Sequence, residues 1–292
     1  MNAQTKMAIV AIVVVIPLTS VVVYGTNTNQ EFTSNDNSKL QAISSFNPLH
    51  EFSQIVGGEK IDVTLLVPVG VEPHDWEPTI KDVQQMHKSD FIIINGIGFE
   101  NWVDNLIENN YQGTIVDTSK QIPIKETDPH IWLNPVFAIN QVGNIALAFS
   151  NSDPENEEYY MTNAAKYSEK LHSLDSKIRT DLTDCKHDFI AFHDAFSYFA
   201  DEYDLNQHTI VATTNSHGEV TAKTLENVIS TARELNIKVI FSEESLNTKT
   251  SQIIANEIGG KVLVLSPLEI VSDDNYISKM TQNLENLKEA LC

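Results

Sequence analysis

The stretch DPENEEYYMTNAAKYSEKLHSLDSKIRTDLTDC, residues 153–185, is the most helical piece of the chain, and the pattern on either side of it decides the fold. Asp153 is placed to cap this helix, Pro154 to take its first position, and Glu155, Glu157 and Glu158 to complement the dipole at that end. Tyr160, Ala164, Tyr167, Leu171, Leu174, Ile178 and Leu182 recur every three or four residues and form one apolar stripe along ~8 turns. A coiled-coil seam is the rival reading, but the stripe lacks sustained flanking charge pairs, so packing within one chain is expected, and with it a monomer. A connector this stiff would also limit how far two lobes can swing apart.

Outward from the helix, both flanks read as short β-rich runs alternating with polar turns and helical stretches, the signature of α/β units. Before it, strands are expected at residues 41–46, 62–68, 90–96 and 114–119, with NPLHEFSQIVGG as a short helix capped by Asn47 and carrying Pro48 in its first turn. After it, strands are expected at residues 188–193, 208–214, 238–243 and 261–266, and helices near 219–236, 248–258 and 275–291. Two similar lobes follow, over residues 40–152 and 186–292, with the helix of residues 153–185 between them.

The N-terminus has a different character. Lys6 precedes MAIVAIVVVIPLTSVVVY, an apolar run without a charge whose length lies between a signal-peptide core and a membrane span. Residues 1–25 are therefore expected to be a membrane anchor or signal segment, with everything beyond outside the cytoplasm. No cysteine follows the run, so a bacterial-type lipid anchor is not expected. Residues 26–39 are polar and read as a flexible tether. The 292-residue chain carries 19 Lys and Arg against 40 Asp and Glu, a formal charge of −21, which disfavours nucleic acid or an anionic lipid surface and leaves a cation as the natural partner. Its two cysteines, Cys185 and Cys292, have no thiolate-cluster spacing; they either pair or remain free thiols.

Three of the nine histidines share a topological position. His74, in VEPHDWEP, follows the second expected strand; His130, in DPHIWLNP, follows the fourth; His193 closes DFIAFH. All lie at or beyond the carboxyl ends of strands, where open α/β sheets bind ligands, so two facing lobes would gather the imidazoles in one cleft. Imidazole is the commonest metal ligand, and three of them favour zinc, with manganese the alternative. His50, His87, His172, His187, His208 and His217 read as structural or exposed.

From about residue 40 to 291 the chain resembles the solute-binding proteins of zinc and manganese ABC importers. LVPVGVEPHDWEPTIKDV, NGIGFENW, DPHIWLNP, FHDAFSYFADEY and NLENLKEAL stand here in the family order. The resemblance implies a clamp of two (βα)4 lobes joined by one long rigid helix, with a divalent metal held between them by His74, His130 and His193. It also implies delivery to the membrane permease of an importer, and Trp76 packed beside His74.

Two departures matter. The family commonly places a carboxylate, usually Asp, after the last strand of the second lobe, and KVLVLSPLEI puts Ser266 there. Glu243, closing KVIFSE, is the expected substitute because it sits at a strand end, with Glu269 the lesser candidate and water a third option. The family's histidine-rich loop is also missing, since GTIVDTSKQIPIKETDPH has no histidine before His130. Three histidines with an open position also describe a zinc hydrolase, but no HExxH, GxSxG or P-loop pattern occurs, so an enzyme is not expected. A surface adhesin on the same scaffold is the other alternative.

Overall fold

A computed structural model describes residues 39–125, 128–211, 220–244 and 248–292. The expected segments at residues 1–25 and 26–39 therefore lie, but for Lys39, outside the described residues, as does His217. Among the described residues no helix is long and apolar enough to cross a membrane.

In the first lobe, strands β1 (Leu40–Ser44), β2 (Ile61–Leu65), β3 (Phe91–Ile94) and β4 (Thr114–Asp117) form a parallel sheet in the order β2-β1-β3-β4. Helices α1 (Asn47–Gly57), α2 (Ile80–Met86) and α3 (Val103–Glu108) lie between successive strands, and α4 (Pro135–Ser152) and α5 (Glu157–Leu182) follow. The second lobe repeats the plan with β5 (Asp188–Ala191), α6 (Ser197–Glu202), β6 (Asn206–Thr209), α7 (Ala222–Glu234), β7 (Val239–Ser242), α8 (Lys249–Ile258), β8 (Lys261–Val264) and α9 (Tyr276–Leu291). Its parallel order, β6-β5-β7-β8, is the same. Central strands buried on both faces explain the unbroken apolar runs: every residue of β3 and of β7 is buried.

The stripe on α5 is buried within the chain at all seven expected positions, which removes the coiled-coil seam. One continuous apolar cluster runs from Phe46 and Phe52 of the first lobe through Tyr167 and Leu171 of α5 to Phe189, Phe241 and Leu284 of the second. Because this core does not stop at the lobe boundary, Leu171→Ala would cost roughly 2–5 kcal/mol and loosen both lobes at once. At the far end, Cys185 and Cys292 form a disulfide that ties the end of α5 to the end of α9.

Three expectations need correction. The expected cap Asn47 makes no side-chain cap to α1; its amide reaches Leu268 O, 221 residues away. Asp153 does not cap the long helix either, because its carboxylate accepts from Asn156 and from Tyr160 OH. And α4, packed against α5, is a helix the sequence reading does not include: its buried residues recur every three or four positions from Pro135 to Ser150, but apolar Ile139, Leu147 and Ala148 lie off that stripe and blur it.

Candidate metal centre

The strands of both sheets point their carboxyl ends at one place. His74 lies on the loop between β2 and α2, and His130 just before the 3-10 turn Ile131–Leu133. His193 stands two residues past β5, and Glu269 five past β8. One ligand atom from each of His74, His130, His193 and Glu269 lies within 4.8 Å of the others.

The spacing inside this group is more telling than its membership. His74 Nε2 is 3.2 Å from His130 Nε2, and His193 Nε2 is 3.3 Å from the same atom. Glu269 Oε1 is 3.0 Å from His74 Nε2 and 3.3 Å from His130 Nε2. A tetrahedron whose corners sit about 2.0–2.1 Å from a central zinc ion has edges of about 3.3 Å. Four of its edges are thus already drawn by side chains.

The backs of the rings are held. His130 Nδ1 donates to Asp128 Oδ1 at 2.6 Å, and His193 Nδ1 donates to Glu243 Oε1. With a proton held on Nδ1, each Nε2 is the nitrogen left facing the site, its lone pair open to a cation that displaces any second proton, the usual carboxylate–histidine arrangement behind a metal. Asp128 also accepts, through Oδ2, from Ser197 Oγ at the start of α6, so one carboxylate joins a ring of the first lobe to a helix of the second. Behind the same loop, Asn95 Nδ2 donates to Pro129 O at 2.8 Å, and the buried Glu100 accepts from Asn95 N at 2.8 Å and Ser45 Oγ at 2.7 Å.

Charge follows from this geometry. Burial opposes a charge on His130, but hydrogen bonds to Asp128 and Glu269 outweigh it and raise its pKa to about 9. Burial pushes Glu269 up, yet hydrogen bonds from His130 and His74 hold it well below the carboxylate range. Burial likewise pushes Asp128 up, and hydrogen bonds from His130 and Ser197 bring it below its ordinary value. Glu72, near His74, is raised to about 7, first by burial and then by the charge of Glu269. The pocket is therefore an anionic nest that invites positive charge, a proton or a metal cation.

The three histidines come together as the strand ends suggested, but the carboxylate with them is Glu269, not Glu243. Glu243 is on the other side of His193, at its Nδ1. Ser266, where an acid was anticipated, faces away and donates to Glu244. The ring meeting His74 edge-on is that of Phe99, with centroids 4.8 Å apart, whereas Trp76 is edge-on to Trp102. Asp194, a sequence neighbour of His193, accepts from Gln207 instead of the imidazole.

Two parallel βα lobes joined by one helix and meeting at three imidazoles and a carboxylate define a two-lobed binding protein for a metal cation. The chain belongs to the ZnuA family, zinc-uptake complex component A, periplasmic, which matches residues 43–290. It is 36% identical over 295 residues to the high-affinity zinc uptake system protein ZnuA of Bacillus subtilis (strain 168), covering 91% of this chain and 92% of that one. It is similar to the Zn(II)-bound ZnuA-like domain of Streptococcus pneumoniae AdcA, at TM-score 0.77 and 32% identity over 87% of this chain and 99% of that one. The chain spans 56% of the length of the whole zinc-binding lipoprotein AdcA of that species. It is also similar to the laminin binding protein Lmb of Streptococcus agalactiae, described as a bifunctional protein with adhesin and metal transporting activity. There the TM-score is 0.81 and the identity 27%, over 86% of this chain and 99% of that one.

Proposed function

We propose that this protein is an extracytoplasmic zinc receptor that binds one Zn2+ through His74, His130, His193 and Glu269 and hands it to the permease of an ABC-type importer. The observation that carries this reading is the set of ligand-atom separations between 3.0 and 3.3 Å, the edge length of a zinc tetrahedron. Three nitrogens and one oxygen suit zinc better than manganese, which favours more oxygen ligands. The names of the relatives support the importer as destination. The apolar run of residues 7–24 supports a membrane-attached chain facing outward.

A hydrolase would need a base beside the metal-bound water. Asp128 and Glu243 are each engaged by a ring Nδ1, Glu72 accepts from His74 N, and Glu269 is spent on the cation, which favours a receptor. The test is a zinc titration of metal-stripped protein against a chelator, with melting followed in parallel. One zinc per chain is expected, and a thousandfold excess over the dissociation constant should stabilise the fold by about 4 kcal/mol. A melting temperature that ignores zinc would overturn the assignment.

A further inference from the structure

The segment that carries Glu269 is held from several sides. From α9, Asn283 Oδ1 accepts from Ser266 N at 2.8 Å and Asn283 Nδ2 donates to Ser266 O at 2.7 Å. Ser266 Oγ donates to Glu244 Oε2 at 2.9 Å and accepts from Leu268 N at 3.2 Å. Lys279 of α9 closes on the other oxygen of Glu244. Trp132 Nε1, two residues past His130, donates to Pro267 O at 2.8 Å.

Within this mount the backbone takes an unusual turn. Leu268 has φ 62, in the left-handed region that a leucine occupies only when its surroundings hold it there, and its side chain is 3% exposed. That turn sends the chain back toward the first lobe, so Glu269 reaches His74 and His130, both on the opposite lobe. Ser266 and Asn283 are themselves buried, at 3% exposure each, and their polar atoms are directed at the turn rather than at solvent.

We propose that Ser266 and Asn283 are positioning residues for the cation, fixing the turn that aims the Glu269 carboxylate at the three imidazoles. The proposal rests on Glu269 being the fourth ligand. A Glu placed beyond the strand end has more rotatable bonds than an Asp at it, and its freedom must be removed before the cation arrives. In this chain the serine in the expected acid's place does not bind the metal. Its hydroxyl ties its own residue to Leu268 N, and Asn283 clamps its peptide groups on both sides.

Zinc affinity is to be measured by chelator competition for Ser266→Ala, Ser266→Thr and Asn283→Ala, each alone and combined with Glu269→Gln, with metal-free melting recorded for all. Groups that orient a ligand typically matter 10–100-fold, so Ser266→Ala should weaken zinc about tenfold and Asn283→Ala at least as much. Ser266→Thr, which keeps the hydroxyl, should stay within about threefold of the parent, as expected for a replacement that retains the hydrogen bond. In the Glu269→Gln background neither alanine variant should weaken zinc further, because the group they aim is gone. A loss that persists undiminished in that background would overturn the proposal, since both residues would then act through the fold at large. Unchanged affinity in both alanine variants would overturn it too. If Glu269→Gln alone leaves zinc binding intact, the fourth-ligand reading fails, and the proposal with it. Should Asn283→Ala not fold, the two Ser266 variants decide the matter.

Discussion

His130 is fully buried, its Nδ1 on Asp128 and its preceding carbonyl on Asn95. His74 sits instead on the loop between β2 and α2, close in sequence to Val69 and Val71, which are 71% and 36% exposed. Both present Nε2 to the same point. The interior half of the site, His130 with His193 and Glu269, is set by hydrogen bonds that exist without a cation. The loop half has the edge of Phe99 against its ring and Glu269 at its Nε2, the atom a cation would take, and so depends more on the cation for its place. A receptor must both hold and release its cargo, and this division puts two of the imidazoles in the core and leaves the third on a loop.

The strongest challenge to this contrast is a pair of substitutions. A four-ligand zinc site is worth roughly 12 kcal/mol, so losing one ligand should cost on the order of 3 kcal/mol, about 100-fold in affinity. His130→Ala and His74→Ala should both show that loss in a zinc titration. His130→Ala should also lower the stability of the metal-free protein more than His74→Ala does, by about 3 kcal/mol, because it takes a partner from both Asp128 and Glu269, whereas His74→Ala takes one from Glu269 alone. Equal metal-free stabilities would erase the distinction.

Glu100 sharpens the interior side. Burial raises its pKa from 4.5 to about 7, against the hydrogen bonds it accepts from Asn95, Ser45 and Gly96. A carboxyl raised on folding supports stability in full below its unfolded value and loses that support as pH climbs through its folded value. Between pH 5 and pH 8 the protein should therefore lose about 3 kcal/mol relative to Glu100→Gln. Denaturant melts of both proteins across that range measure the difference, and parallel curves would show that Glu100 ionises freely.

Asp128→Asn is a smaller perturbation. The amide still fits, but it no longer supplies the negative charge behind His130, so zinc should weaken about tenfold. The smallest effect belongs to the outer loop. Gly70 has φ 79 and open space where a Cβ would go, so Gly70→Ala meets only the backbone preference, about 1 kcal/mol, and should change zinc affinity by less than fivefold.

The sequence revealed the frame of this site more readily than its last corner. The α5 stripe and the strand runs are local periodicities, and His74, His130 and His193 stand out because each follows a strand end. α4 was hidden because apolar residues cover it too widely to show one face, although Asn134 before Pro135 is a helix-start signal that was there to be used. In the sequence Glu269 stands behind Glu243 as a candidate because strand-end logic stops at Ser266. Its reach depends on the left-handed turn at Leu268 and on Trp132 and Asn47, which are 135 and 221 residues away from the atoms they hold. Contacts of that span leave no local pattern.

The most direct test of the account is diffraction from a zinc-loaded crystal, recorded on both sides of the zinc absorption edge. One anomalous peak is expected, with His74, His130 and His193 Nε2 and a Glu269 carboxylate oxygen each about 2.0–2.2 Å from it. A peak coordinated by Glu243, or one whose fourth position is filled by water while Glu269 stands apart, would contradict it.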